Sequence, residues 1–230
     1  MSKDDNKQQV RILVFDLDGT LIDTMRDLAD LFCDMLQREY DVPDEVSRPI
    51  YNQLAGKGPR PQFEAVLARV GRLEHELVDA ITEDYWRVAE TYDPVAFPET
   101  LEVLGRLHRE GHTLIVSSGG TSASVQRKLR LTRLDPLFSL ALGTDEGVPE
   151  MRKGLGHFEL IARSLGLRDH ELPARGVFIG DAVYDMQVAR EAGMVAVGRV
   201  TDGNAETLRL AGAHHLINDL REMHALLAAL

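Results

Sequence analysis

Six short apolar runs punctuate the chain, at residues 10–17, 113–117, 140–143, 176–180, 194–197 and 215–217. Between most of them lie longer stretches whose apolar residues recur every three to four positions. Strand-like runs alternating with helical patterns imply crossover units and a parallel sheet. The expected fold class is therefore α/β, a doubly wound, Rossmann-like sheet. Three of the runs end in Ser or Gly and the first is followed by Asp18, and in such sheets ligands bind beyond the carboxyl ends of the strands. Punctuation marks the helices as well. Pro98 and Glu99 open one whose Leu101, Leu104 and Leu107 are expected to share a buried face before Gly111 ends it. Gly166 and Gly193 close the helical patterns at 157–165 and 183–192.

The rhythm breaks between the first two strands. Helical patterns at 25–39, 45–54, 62–70 and 75–91 follow one another without a strand, separated by Pro43, by GKGPRP at 56–61 and by Gly71. This predicts an all-helical inserted domain over 25–92 and a core domain made of 1–24 and 93–230. Asp93-Pro94 and Phe97-Pro98 mark the return, because the residue before proline is pushed toward extended geometry. A length of 230 residues suits one core with a sizeable insertion.

Composition narrows the function classes. With 44% apolar and 27% charged residues the chain reads as an ordinary globular protein. A formal net charge of −11, with no stripe of Lys and Arg to offset it, speaks against a nucleic-acid partner. It leaves room for a small anionic substrate, since a metal ion and a few cations make a pocket locally positive. The opening MSKDDNKQQV has no apolar core of a signal peptide, and no run is long enough to cross a bilayer, so no membrane partner and a cytoplasmic location are expected. Cys33 is the single cysteine, which rules out an intrachain disulfide, and its setting in LADLFCDML predicts a packed thiol. No pattern specifies an oligomeric state.

The candidate chemistry begins in ILVFDLDGTLID at 12–23. Asp-Gly between apolar runs is a hairpin signal, yet Asp16 and Asp18, two residues apart at a strand end, also have the spacing to face one pocket. Carboxylates brought together there repel, and a hard divalent ion with oxygen ligands, Mg²⁺ by default, resolves the conflict. The second strand ends in Ser117-Ser118-Gly119-Gly120, hydroxyls and exposed amides suited to an oxyanion, though any strand-to-helix turn favours the same residues. Lys153, before a helix, is either a point charge for a phosphoryl group or a solvated side chain. The run GVFIGDAVYD at 176–185 places Asp181 where it could cap the next helix and Asp185 four residues on, a pair equally suited to a divalent ion.

In this order, DxDGT, a strand ending in Ser, a Lys before a helix and GDxxxD, the sequence resembles the haloacid dehalogenase-like hydrolase superfamily. More closely, it looks like the phosphoglycolate phosphatase-like branch that carries a helical cap between the first and second motifs. The resemblance implies a Mg²⁺-dependent phosphatase acting on a small phosphorylated metabolite. Asp16 would be the nucleophile that forms an aspartyl phosphate, and Asp18 the acid and base. The Asp16 side chain, the Asp18 carbonyl, Asp181 and Asp185 would hold the metal, and Ser117, Ser118 and Lys153 the phosphoryl oxygens. The related dehalogenases lack the acid found here at Asp18. Phosphosugar mutases of the same fold show Val and His where this chain has Thr20 and Leu28, so a mutase is the alternative, with a non-catalytic interaction protein beyond it. Lys153 is followed by GLGH rather than Pro-x-Pro, which leaves Arg152 as a second choice for the cation.

Lys57 and Arg60 in GKGPRP fall where the resemblance places a substrate-specificity loop; a plain interhelical loop with solvated charges is the competing expectation. The GxG pairs at 56–58 and 154–156 lack a dinucleotide fingerprint's third glycine, and no serine-hydrolase or zinc motif occurs. The eight histidines, His157 among them, and Tyr184 are expected to pack or to lie at the surface. Asp23 reads as a hinge residue.

Overall fold

Six strands carry the apolar runs: β1 (Ile12–Phe15), β2 (Thr113–Ser117), β3 (Leu140–Leu142), β4 (Gly176–Gly180), β5 (Val195–Arg199) and β6 (His215–Ile217). In the computed structural model, which describes residues 11–145, 147–201 and 203–230, they form one parallel sheet in the order β3-β2-β1-β4-β5-β6. The chain winds outward from β1 in one direction through β2 and β3 and in the other through β4 to β6. The doubly wound sheet expected from the pattern is the one that forms. Its strands are buried on both faces, which is why they read as continuous apolar runs rather than alternating ones. Strand ends shift by one or two residues from expectation; Val10 lies outside the described residues, and Met194 is buried just before β5.

Helices cover both faces. α5 (Thr100–Arg109), α6 (Ser122–Leu131) and α11 (Met223–Ala229) pack with Leu13, Phe15, Leu114 and Val116. α7 (Leu155–Ser164), α8 (Glu171–Arg175), α9 (Val183–Glu191) and α10 (Ala205–Leu210) pack with Ile12, Val14, Ile115 and Phe178. The buried face of α5 consists of Thr100, Val103, Leu104 and Leu107, whereas Leu101, expected among them, is 52% exposed. Three-residue steps fall short of a full turn, so Leu101 and Leu107 sit about 120° apart and one stripe cannot hold both.

Between β1 and α5 come α1 (Met25–Tyr40), α2 (Asp44–Gln53), α3 (Pro59–Arg69) and α4 (His75–Ala89), packed around their own apolar cluster. Phe32 stacks on Phe63 at 4.3 Å between ring centres, and Tyr51 and Tyr85 pack against Phe32. Cys33 is buried in this cluster, where burial pushes its thiol up to about 11, so it packs and does not react. The expected loop at 56–61 is shorter than the sequence suggests: Pro59, Arg60 and Pro61 form the first turn of α3. Proline is tolerated there because a first-turn N–H has no partner within the helix. Among the described residues no helix is long and apolar enough to cross a membrane.

Candidate active site

The Asp16 amide donates to the Ile179 carbonyl at 2.8 Å, extending the β1 ladder by one residue. This puts the Asp16 side chain at the carboxyl edge of the central strand, between β2 and β4, where the winding reverses. No hairpin follows. Gly19, with φ of 84°, turns the chain beneath Asp181, and a Cβ there would collide with Asp181 Oδ2. Asp23 is exposed and ties this turn to the segment returning from the helices, its amide donating to the Val95 carbonyl at 2.8 Å.

Three carboxylates converge here. Asp16, Asp181 and Asp185 each offer an oxygen within 4.8 Å of the others. Lys153 is the cation among them, its Nζ 2.5 Å from Asp16 Oδ1 and 2.6 Å from Asp185 Oδ1, and it is buried rather than solvated; Arg152 is exposed. Thr20 donates its hydroxyl to Asp181 Oδ1 at 3.0 Å. The start of α9 is capped by Asp185, whose Oδ2 accepts the Ala182 amide at 3.1 Å, and not by Asp181 as the sequence suggested. The first turn of α9 brings Asp185 back over the strand end, so its oxygen reaches that amide.

One lysine does not neutralise three buried acids. Burial, and then the charges of Asp185 and Asp181, raise the Asp16 carboxyl well above its ordinary value despite Lys153. Burial and the Asp185 charge push Asp181 up to about 7. Burial pulls the Lys153 ammonium down, but Asp16 and Asp185 outweigh it and its proton is held more firmly than usual. A compact set of carboxylate oxygens with surplus negative charge suits a hard divalent cation.

Asp18 faces a partner that the sequence reading did not single out. Lys128 of α6 places its ammonium 2.7 Å from both Oδ1 and Oδ2, and the Thr24 hydroxyl donates to Oδ1. One signal was available: Lys128 lies between Val125 and Leu129 on the buried stripe of α6, where a lysine needs a counter-charge.

The two serines separate. Ser118 lines a small recess of about 60 Å³ with Asp16, Asp18, Asp181, Leu28 and Trp86. Ser117 is fully buried, with its Oγ 2.8 Å from His157 Nδ1. His157 Nε2 lies 3.0 Å from the Gly143 carbonyl, which only accepts, and burial lowers the ring to about 4. The ring is thus neutral with its proton on Nε2, and Ser117 donates to Nδ1. Tyr184 donates to the Lys153 carbonyl at 2.9 Å and fixes the segment that carries the lysine.

A larger cavity of about 790 Å³ opens beside the recess, lined by Lys57, Arg60, Trp86, Arg152, Lys153 and Tyr184 among others. Lys57 Nζ sits 5.4 Å from the centre of the Tyr184 ring, whereas Arg60 is ion-paired with Asp79 and Glu64. Neither sequence expectation for this pair describes both residues: each lines the cavity, but Arg60 is held by acids of the helical lobe.

Residues 10–193 match the family model for haloacid dehalogenase-like hydrolase. The chain belongs to this family. Among curated relatives, it is 32% identical over 228 residues to "Probable phosphatase IndB" of Dickeya dadantii, covering 94% of each chain. It is 30% identical over 194 residues to "Phosphoglycolate phosphatase" of Caulobacter vibrioides, covering 80% of this chain and 77% of that one. A solved hydrolase from Pseudomonas syringae superposes with a TM-score of 0.76 at 22% identity, covering 96% of this chain and 99% of that one, a likeness of fold. In this haloacid dehalogenase-like hydrolase the DxDGT, lysine and GDxxxD elements come from three separate stretches of sequence and meet at one strand edge.

Proposed function

We propose that the protein is a Mg²⁺-dependent phosphatase that hydrolyses a phosphate monoester of a small metabolite through an aspartyl phosphate on Asp16. The observation that carries this reading is the burial of Asp16 at the central strand end, paired with Lys153 beside Asp181 and Asp185. The relatives named phosphatase support the same chemistry. The Asp16, Asp181 and Asp185 carboxylates, with the Asp18 carbonyl, would hold Mg²⁺, and the surplus charge in the donor set fits that ion. When bound it supplies positive charge against the phosphoryl oxygens.

The chain's own residues account for the rest. Lys153 offsets the Asp16 charge, so a dianionic phosphate is not repelled, and remains beside the transferring group as its negative charge redistributes. Ser118, which lines the recess at the end of β2, binds the phosphoryl oxygens, while Ser117 behind it gives its hydroxyl to His157. An Asp16 oxygen bonds to phosphorus while the bond to the leaving oxygen breaks, and Asp18 gives that oxygen a proton; water then releases phosphate from Asp16 as its proton returns to Asp18. The four helices over residues 25–92 act as the cap, placing Trp86 and Lys57 against the leaving group and excluding bulk water. Leu28 lines the recess where a mutase of this fold would carry a histidine, and its side chain accepts no proton.

The test is release of phosphate from p-nitrophenyl phosphate with Mg²⁺. Activity that disappears in Asp16→Asn supports the reading, and activity that survives in that variant removes Asp16 as nucleophile. Isomerisation of a sugar phosphate without net phosphate release would make the protein a mutase.

A further inference from the structure

We propose that Lys128 is a positioning residue for proton transfer by Asp18, and that with Thr24 it selects Oδ2 as the one atom of Asp18 that carries the proton. The proposal rests on the acid and base role given to Asp18 above. An ionised carboxylate has about four lone-pair sites, two on each oxygen. Lys128 Nζ, 2.7 Å from each oxygen, takes one site on Oδ1 and one on Oδ2. The Thr24 hydroxyl takes the second site on Oδ1. Oδ1 is then filled, and Oδ2 alone keeps a site for a proton.

The same contacts fix the carboxylate plane. A carboxylate held on both oxygens cannot rotate without losing two charge-assisted hydrogen bonds, each stronger than a neutral one. Water competes weakly, since the Lys128 and Asp18 side chains are 8% and 15% exposed. Lys128 is itself anchored, because Val125 and Leu129 bury the same face of α6 against the sheet. Lys128 lines neither the recess nor the larger cavity, so it acts through Asp18.

In the first half-reaction the bond from Asp16 to phosphorus forms, the bond from phosphorus to the leaving oxygen breaks, and the proton on Asp18 Oδ2 passes to that oxygen. In the second, water replaces Asp16 on phosphorus, and the proton it loses returns to Oδ2. Lys128 keeps its protons throughout.

The experiment compares two substrates of similar size in Lys128→Met, which keeps the stem and removes the ammonium. p-Nitrophenyl phosphate releases a stable anion that needs little help from an acid, whereas benzyl phosphate releases an alkoxide that does. Because kcat/KM reports only steps up to the aspartyl phosphate, its value for benzyl phosphate should fall about 100-fold, the scale of a misplaced catalytic group, and that for p-nitrophenyl phosphate by less than about threefold. With p-nitrophenyl phosphate kcat should still drop and a burst of p-nitrophenol appear, because water attack has lost its positioned base. Lys128→Gln, which keeps a single donor, should show the same selectivity to a smaller degree and guards against failure of the Met variant to fold. Equal losses for both substrates, or no loss, overturn the proposal. Asp18→Asn run in parallel separates the levels: if it too lacks leaving-group selectivity, the role of Asp18 itself falls.

Discussion

The sheet core and the helical lobe place their charges in opposite ways. At the carboxyl edge of the sheet Asp16, Asp181, Asp185 and Lys153 are buried together, and Lys128 meets Asp18 nearby. In the lobe, pairs such as Arg48 with Asp30 and Asp44, and Arg87 with Asp84, lie at the surface, while the interior is apolar and aromatic. Surface pairs are screened by water and contribute little, whereas buried charges strain the fold unless a partner or ligand answers them. The difference gathers buried charge at the sheet edge and leaves the lobe with an apolar interior and charges at its surface.

Removing the core's central cation should have the largest effect. Lys153→Met should lower phosphate release about 100- to 1,000-fold, as loss of a transition-state donor does. Calorimetry should also show lost stability, since Asp16 and Asp185 would be left buried without their counter-charge. Retention of near-normal activity would move the phosphoryl contact elsewhere.

The seam between the two regions comes next. Gly119 of the core abuts the lobe so closely that an added Cβ would lie 2.8 Å from the Gly56 carbonyl and 3.0 Å from the Gly58 amide. Gly119→Val should hold the regions apart and reduce kcat/KM about ten- to 100-fold, the cost of misplacing groups by an ångström. Intrinsic fluorescence of Trp86, whose ring would lie 3.5 Å from a Cβ added at Gly120 across the same seam, should change with it. An unchanged rate would show that closure does not govern catalysis.

A smaller effect probes the wall behind Ser117. Since His157 falls from an ordinary 6.5 to about 4 in the fold, its contribution to stability is complete above pH 6.5 and is lost as pH drops through 4. That difference corresponds to about 3 kcal/mol. Acid unfolding of His157→Gln should therefore be shallower between those pH values than that of the parent, and parallel curves would argue against a neutral His157. Smallest of all should be Arg48→Ala in the lobe, which should change stability by less than about 1 kcal/mol in urea titrations and leave phosphate release unaltered.

Much of the core was legible because its signals are local. A buried parallel strand is a short apolar run, and the strands at 113–117, 176–180 and 215–217 begin and end as the pattern implies. Helix faces were read less well: Leu101 shows that leucines three apart need not share a stripe, and Arg60 that a Gly/Pro-rich stretch can already be helix. Asp16, Lys153, Asp181 and Asp185 could be named as candidates from their motifs and the family resemblance those motifs carry. That Lys153 bridges Asp16 and Asp185 could not, because the contact with Asp16 spans 137 residues. Lys128, 110 residues from Asp18, escaped for the same reason.

The sequence by itself determined the α/β class, the run of helices between the first two strands and the acids at the strand ends, since each depends on periodicity or on neighbours within a few positions. Only the tertiary structure decided which side chains face one another. Ser118 reaches the recess while Ser117 turns to His157, and Asp185 rather than Asp181 caps α9. Those choices depend on distances between elements remote in sequence, where a shift of an ångström makes or breaks a hydrogen bond.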